Sequence, residues 1–379
     1  MQRDIGSFDL NNLPKIFTRG SEAECKAAAD QLVDIGAPAV VPLIKYLETF
    51  GSFFETRHAS DALVRIGEPA IEHLNAAMSE GNDTFRRIAV GLLARIGGQG
   101  AVTQIVSMLS DPYPEVALAA AEALASMDWQ PDSPELEARY LSVIYLYSYR
   151  KDAGAKRQGA SEKLQALAWE PENDEVGAAY YITNRSWKEC VRIGLPAVKP
   201  LFITLQDPEA EVAESASGAL IQIGSAAVNT LIALLDTYFR WSFSDSNSIR
   251  LRTAAAGVLG GIGDAQAVPA LIRVGSTVER TSEIREAAAD ALAAIGTDAV
   301  ETLMGGTSST EATTQQLAAM ALGRIGDKRA MAVLVPLLSA SAPHHPPFVR
   351  NAAYEALKRL AGKDLGTDPE AWQALLRDG

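Results

Sequence analysis

The sequence is poor in the residues that most chemistry requires. Its 379 residues include four histidines, His58, His73, His344 and His345, and two cysteines, Cys25 and Cys190. The cysteines stand far apart and in no metal-like spacing, so they read as free thiols in a reducing compartment, buried as small hydrophobes. So few histidines leave little for metal binding or acid–base work, and His344-His345, in a proline-rich loop, reads as a solvated turn. No Gly-x-Gly-x-x-Gly, P-loop, Gly-x-Ser-x-Gly or His-Glu-x-x-His motif occurs, so nucleotide and hydrolase chemistry have no support. We expect no catalytic residue, no cofactor and no metal.

Positive charge is also scarce. Lys and Arg number 34 against 47 Asp and Glu, for a formal charge of -13 and a pI near 4.9. The summed field repels phosphate, which makes nucleic acid an unexpected partner. Long apolar runs are missing as well. Ala-rich segments are cut repeatedly by Gly, Pro and charges, so none approaches the roughly 20 residues of a membrane helix. Met1 to Leu10 holds no apolar run of signal-peptide length. The expectation is a cytoplasmic protein without a membrane segment.

What is abundant is punctuation. The dipeptide Ile-Gly recurs at Gly36, Gly67, Gly97, Gly194, Gly224, Gly263, Gly296 and Gly326, with successive spacings of 31, 30, 97, 30, 39, 33 and 30. The spacing of 97 is close to three units of about 32 whose punctuation has decayed, and a period of this length means a stacked array. Before Gly296, the residues Ile284, Ala287, Ala288, Ala291, Leu292 and Ile295 form one apolar helical stripe. Glycine supplies a left-handed C-cap, and Arg65, Arg95, Arg192 and Arg324 complement the dipole in the last turn. A start signal follows, either Asp264 or Asp327 as N-cap or Pro38, Pro69 or Pro196 in the first turn. It opens a second apolar helix, at Val40 to Leu47, Val198 to Leu205, Val268 to Ile272 and Val333 to Leu338. Asp111-Pro112 and Asp207-Pro208 then turn the chain. The unit is helix A, glycine turn, helix B, Asp-Pro turn, and only stacked neighbours can bury both stripes.

Asp-Pro-x-x-x-Val, an Ala-rich helix, Ile-Gly and Ala-Val-Pro-Ala-Leu in succession resemble the short repeats of phycobilin-lyase type in HEAT-repeat proteins, over most of the chain. The resemblance implies an all-α, right-handed α-solenoid of about ten paired-helix repeats with capping helices at both ends. We divide it into an N-terminal capping half-repeat at 1–20, repeats at 21–128, irregular helices at 129–192, repeats at 193–346 and capping helices at 347–379. In the irregular region Trp129-x-Pro131 with Glu135, Ala138 and Tyr140 is duplicated as Trp169-x-Pro171 with Glu175, Ala178 and Tyr180. Its simplest account is mechanical: Trp-x-Pro stops one helix and Tyr packs back on Trp. Tyr140, Tyr145, Tyr147 and Tyr149, with Lys151, Lys156 and Arg157, form an alternative aromatic ligand surface. Asp152 to Ala160 is the candidate for a flexible interruption.

HEAT-type repeats serve lyases, scaffolds and chaperones alike, so function must come from a site. Iron hydroxylases built on related repeats use His-Glu pairs, and no His-Glu dipeptide occurs here. HEAT-like DNA glycosylases use a basic concave face, which this composition lacks. Three B-to-A connections are longer than the Asp-Pro turn and aromatic, placing Phe50, Phe53, Phe54, Tyr238, Phe239, Trp241, Phe243 and Phe348 along one edge. Exposed, they are binding anchors for a protein partner; folded inward, they seal gaps between unequal repeats. The concave B-helix face, with Lys45, Glu48, Glu72, His73, Asn229, Arg273 and Glu301, is a second candidate surface. The leading expectation is a non-enzymatic protein–protein interaction scaffold. Two other readings stay open: an accessory lyase or chaperone-like subunit for bilin attachment, and a structural spacer in a larger assembly.

Overall fold

The computed structural model describes residues 12–50, 53–149, 154–239, 246–277, 282–339 and 346–378. Among them are α-helices joined by short 3-10 turns, and no strand. The helices divide between two compact units, Met1–Trp169 and Glu170–Gly379. The first holds α1 (Leu13–Arg19), α2 (Glu22–Ile35), α3 (Val40–Thr49), α4 (Phe53–Ile66), α5 (Pro69–Glu80), α6 (Asp83–Ile96), α7 (Gly98–Ser107), α8 (Pro114–Ser126), α9 (Pro134–Tyr147) and α10 (Gly154–Ala166). The second begins with α11 (Glu175–Thr183), α12 (Trp187–Ile193), α13 (Leu195–Thr204), α14 (Ala210–Ile223), α15 (Val228–Phe239) and α16 (Ser246–Ile262). It continues with α17 (Val268–Gly275), α18 (Ser282–Ile295), α19 (Val300–Gly306), α20 (Ala312–Ile325), α21 (Met331–Leu334), α22 (Pro347–Ala361) and α23 (Pro369–Asp378).

Each unit is a run of all-α solenoid. A helices pack on A helices, as α2, α4, α6 and α8 do in the first unit and α14, α16, α18, α20 and α22 in the second. B helices pack likewise, α3 on α5 and α13 on α15. The stripe read before Gly296 is buried through Ile284, Ala288, Ala291, Leu292 and Ile295. The small residues bring the A helices very close. A side chain on Gly260 would begin 2.5 Å from Ala291 Cα, and one on Gly323 would begin 2.6 Å from Ala356 Cα. Leu13 and Phe17 of α1 are buried, and Trp372 of α23 is buried with its indole Nε1 donating to the Gly366 carbonyl at 2.8 Å.

The glycine turns depart from the expected left-handed cap. Gly36, Gly97, Gly194 and Gly224 have φ of 73 to 74° but ψ of -135, -168, -127 and -151°. This is the region of positive φ and extended ψ that glycine alone enters readily, a stricter demand than the αL cap. Gly326, at φ 85° and ψ 10°, is the left-handed form. In each of the eight turns a Cβ would find open space, so the requirement is purely one of backbone conformation. Where the punctuation lapses after α8, Asp128 takes a φ of 51°, 31 residues beyond Gly97. The expected helix at Val333 to Leu338 is α21 followed by a 3-10 turn at Val335–Leu338, with Pro336 removing an amide that an α-helix would use.

Two further expectations change. Residues from Gly154 onward in the candidate interruption at Asp152 to Ala160 are helical, as α10, and the division between units falls after Trp169. Ala210–Thr237 has a mean hydropathy of 1.7 and the length and composition of a membrane span. The turn at Gly224 breaks it into α14 and α15, of 14 and 12 residues, each too short to cross a bilayer as a single helix.

Candidate functional site

Three of the described B-to-A turns share one local device. An acceptor side chain two residues before the N-cap takes the N-cap amide: Asp111 Oδ1 from Tyr113 at 2.9 Å, Asp207 Oδ1 from Glu209 at 2.9 Å, and Ser309 Oγ from Glu311 at 3.1 Å. A second device reaches back from the A helix, eleven residues before the Ile-Gly glycine. There Cys25 Sγ lies 3.3 Å from the Ile16 carbonyl, Arg86 Nη1 donates to the Gly81 carbonyl at 2.7 Å, and Gln315 Nε2 donates to the Ser309 carbonyl at 2.8 Å. Arg252 and Arg285 occupy the same register.

Arg86 shows the complete arrangement. Its Nε and Nη2 donate to the two oxygens of Asp111 at 2.7 and 3.0 Å, and its guanidinium lies 5.1 Å from the Tyr113 ring centre. The Asp111 side chain is 3% exposed, so this is a buried, bidentate pair binding a helix to the turn of the next repeat. Hydrogen bonding to Asp111 holds the Arg86 guanidinium above its ordinary pKa. Arg285 is the reverse case. Its Nη2 lies 3.5 Å from the Thr277 carbonyl, its Nε has no partner among the described residues, and burial pulls it below the ordinary arginine value.

The aromatic edge is mixed. Phe50 is half-buried and stacks on Tyr46, ring centres 4.7 Å apart, which is the inward, gap-sealing arrangement. Phe53 and Phe54 lie in the first turn of α4, and Tyr238 and Phe239 in the last turn of α15, with side chains outside the description; Trp241 and Phe243 are outside the described residues. Phe348, second in α22, is 41% exposed. It borders an open groove of about 350 Å³ with Met320, Gly323, Arg324, Ala352 and Arg359. A larger open groove, about 770 Å³, runs from α17 to the start of α20 along Arg273, Ser276, Thr277, Glu311, Thr313 and Thr314.

The other surfaces are more fully committed to structure. On the B helices, Lys45, Glu48, Glu72, His73, Asn229, Arg273 and Glu301 are all exposed, but Arg273 pairs with Asp236 at 2.6 Å and Glu301 with Arg329 at 2.9 Å. The tyrosines of α9 close on their own unit. Tyr140 packs edge-on against Trp129 at 5.6 Å, and the Arg157 guanidinium lies over Tyr145 and Tyr149 at 4.4 and 4.6 Å. Lys151 is outside the described residues. The last-turn arginines do more than face a dipole. Arg65 reaches Asp30 at 2.6 Å, Arg95 reaches Asp61, and Arg324 reaches Asp290 at 2.7 Å, each on the preceding A helix. The rule missed in the sequence is an acid six residues before one Ile-Gly glycine and an arginine two before the next. Among the described residues no group of three or more His, Cys, Asp or Glu is placed to hold a metal ion.

Similarity to solved structures is broad and shallow. An engineered protein is 22% identical over 94% of this chain and 99% of its own, with a TM-score of 0.28. Human deoxyhypusine hydroxylase in complex with glycerol is 18% identical over 77% and 97%, with a TM-score of 0.25. Kap121p bound to Nup53p is 13% identical over 97% of this chain and 47% of its own, with a TM-score of 0.31. Scores of this size carry no inference about activity. No curated protein sequence matches the chain. The model of HEAT repeats matches residues 71–142, 239–312 and 300–377, together more than half of the sequence. With the helix pairs and the recurrent glycine turn, that match makes the chain a member of the HEAT-repeat family.

Proposed function

We propose that this protein is a non-enzymatic scaffold that holds a protein partner along the B-to-A edge of its second unit. The observation that carries the reading is Phe348: 41% exposed at the start of α22, it borders a groove between A helices that is lined by Met320, Gly323, Arg324, Ala352 and Glu355, where an anchoring aromatic is expected. The B-helix face is the secondary candidate. Phe50, stacked on Tyr46, favours a packing role for the first aromatic connection, in keeping with the spacer reading there. The finer likeness to repeats of phycobilin-lyase type rests on the Ala-Val-Pro-Ala-Leu and Ile-Gly pattern, and no residue here is matched to a bilin-handling role. A cytoplasmic location accords with two buried, unpaired cysteines.

The test is site-specific photo-crosslinking in lysate of the source cells, with a benzophenone amino acid at 348 and, as control, at exposed Val41. A discrete adduct from 348 and not from 41, reduced by Phe348→Ser in a competing pull-down, is the expected result. Equal labelling from both positions contradicts the reading. A coloured adduct on mixing with free bilin and apo-phycobiliprotein would instead establish the lyase alternative.

A further inference from the structure

Neighbouring A helices are separated by a shallow furrow, and the furrow between α20 and α22 is left open. Asp30, Asp61 and Asp290 stand six residues before Gly36, Gly67 and Gly296, and each crosses to an arginine two residues before the next repeat's glycine. Six residues before Gly326 that register holds Met320, and two before Gly362, which ends α22, it holds the buried Leu360. No ion pair can join those two positions. Where α14 and α16 lack the pair, Ile221 fills the space, its Cδ1 standing 2.6 Å from where a Gly261 Cβ would be. Between α20 and α22 there is instead an open groove of about 350 Å³, lined by Met320 and Ala352 and bordered by Phe348, 41% exposed. Apolar surface held open in this way is buried only by another molecule.

The charge of this helix pair is opposite to that of the molecule. The chain carries -13, whereas α20 and α22 together hold Arg324, Arg350, Lys358 and Arg359 against a single acid, Glu355. The carboxylates around the groove are matched within the chain: Glu286 and Asp290 of α18 by Arg324, and Glu355 by Lys358 at 2.9 Å. Arg359 lines the groove, is exposed, and has no partner among the described residues. The connection before α22 offers it none, because residues 340–345 include no acid.

We propose that the groove between α20 and α22 receives an acidic amphipathic helix of a protein partner, its apolar stripe on Phe348, Ala352 and Met320 and a carboxylate on Arg359. The inference rests on the scaffold reading and deepens it by naming the chemistry of the partner. Phe348 and Arg359 lie at the two ends of one face of α22, about 16 Å apart at 1.5 Å per residue. A helix lying along the furrow meets both ends with apolar residues at i, i+4 and i+7 and an acid at i+11. The apolar contact supplies affinity, and the pairing with Arg359 fixes the sign of charge and the orientation.

The test is an NMR titration of the full chain carrying 13C-methyl methionine, with the Met320 signal assigned from its absence in Met320→Leu. The probe is a capped peptide of alanine and glutamine with leucine at i, i+4 and i+7 and glutamate at i+11, set against the same peptide with lysine at i+11. The glutamate peptide should shift the Met320 signal saturably, and the lysine peptide should bind about two- to fivefold more weakly, the worth of one exposed ion pair. Arg359→Glu, in a variant folded by circular dichroism, should reverse that order. Equal affinity for the two peptides, or no saturable shift with either, overturns the proposal. So does a Met320 signal that moves with protein concentration alone, which would make the groove a contact between two copies, or one that moves with phosphatidylglycerol vesicles and with neither peptide. Partner capture through residue 348 that survives Arg359→Glu removes this inference while leaving the scaffold reading in place.

Discussion

At the scale of single residues, the backbone rather than the side-chain environment explains the Ile-Gly signature. Gly97 sits at φ 74° and ψ -168°, and a Cβ there would touch nothing. Asparagine tolerates the left-handed region but gains nothing at that ψ, so Gly97→Asn and Gly97→Ala should each cost about 1–3 kcal/mol. Gly326→Asn, at ψ 10°, should cost about 1 kcal/mol or less in the same urea titration, because its cap is the left-handed one. A second residue-scale expectation concerns Cys190, whose thiol burial pushes up to about 12. The folded form binds the proton more tightly than the unfolded chain, whose thiol titrates near 8.5. Its contribution is therefore complete below pH 8.5 and is lost as pH rises towards 12. At pH 8 a thiol reagent should leave Cys190 unmodified in the native protein and label it after unfolding. Full native labelling would show that this helix opens freely.

At the scale of elements, the decisive interactions couple one repeat to the next. Arg86→Ala leaves Asp111 buried without its partner, and we expect a loss of about 3–5 kcal/mol. Arg65→Ala removes a pair whose side chains are both 50% exposed, and should change stability by less than about 1 kcal/mol. Equal losses from Arg86→Ala and Arg65→Ala in denaturant titrations would contradict this ranking. The same elements show what was legible in the sequence. The helix pairs, the positions of the glycine turns and the A-helix stripes were readable because apolar periodicity and a glycine stop are local properties, whereas the ψ of those turns was not. The turn at Asp128 was not, since positive φ at a non-glycine residue leaves no compositional mark. Nor were the Arg–Asp pairs, which join residues 25 to 35 apart and emerge only when helices are aligned on their glycines. The candidate site was less legible: Phe348 stands out in the sequence only by its loop, and its place beside Met320 and Ala352 needed the helices in position.

At the scale of the whole molecule, a repeat array distributes stability between neighbours, so damage should stay local. Trp372→Ala uncovers the last helix pair of the second unit. Hydrogen exchange should accelerate in α21 and α22 and remain unchanged in α2 to α8; uniform acceleration would instead mean a single cooperative core. This locality leaves turns free to vary. The B-to-A connections differ most in length and composition, and the exposed Phe348 stands at the end of one of them. Membership of the HEAT-repeat family does not select a partner; on the scaffold reading proposed above, these departures from the family's own regularity do. The most direct test is hydrogen exchange of the full chain with and without the partner captured through residue 348. The account predicts that protection gained on binding concentrates in the B-to-A turns of the second unit, at Ser309 to Glu311 and the first turn of α22. Protection confined to the B helices α3, α5 and α13, with those turns unchanged, would contradict it.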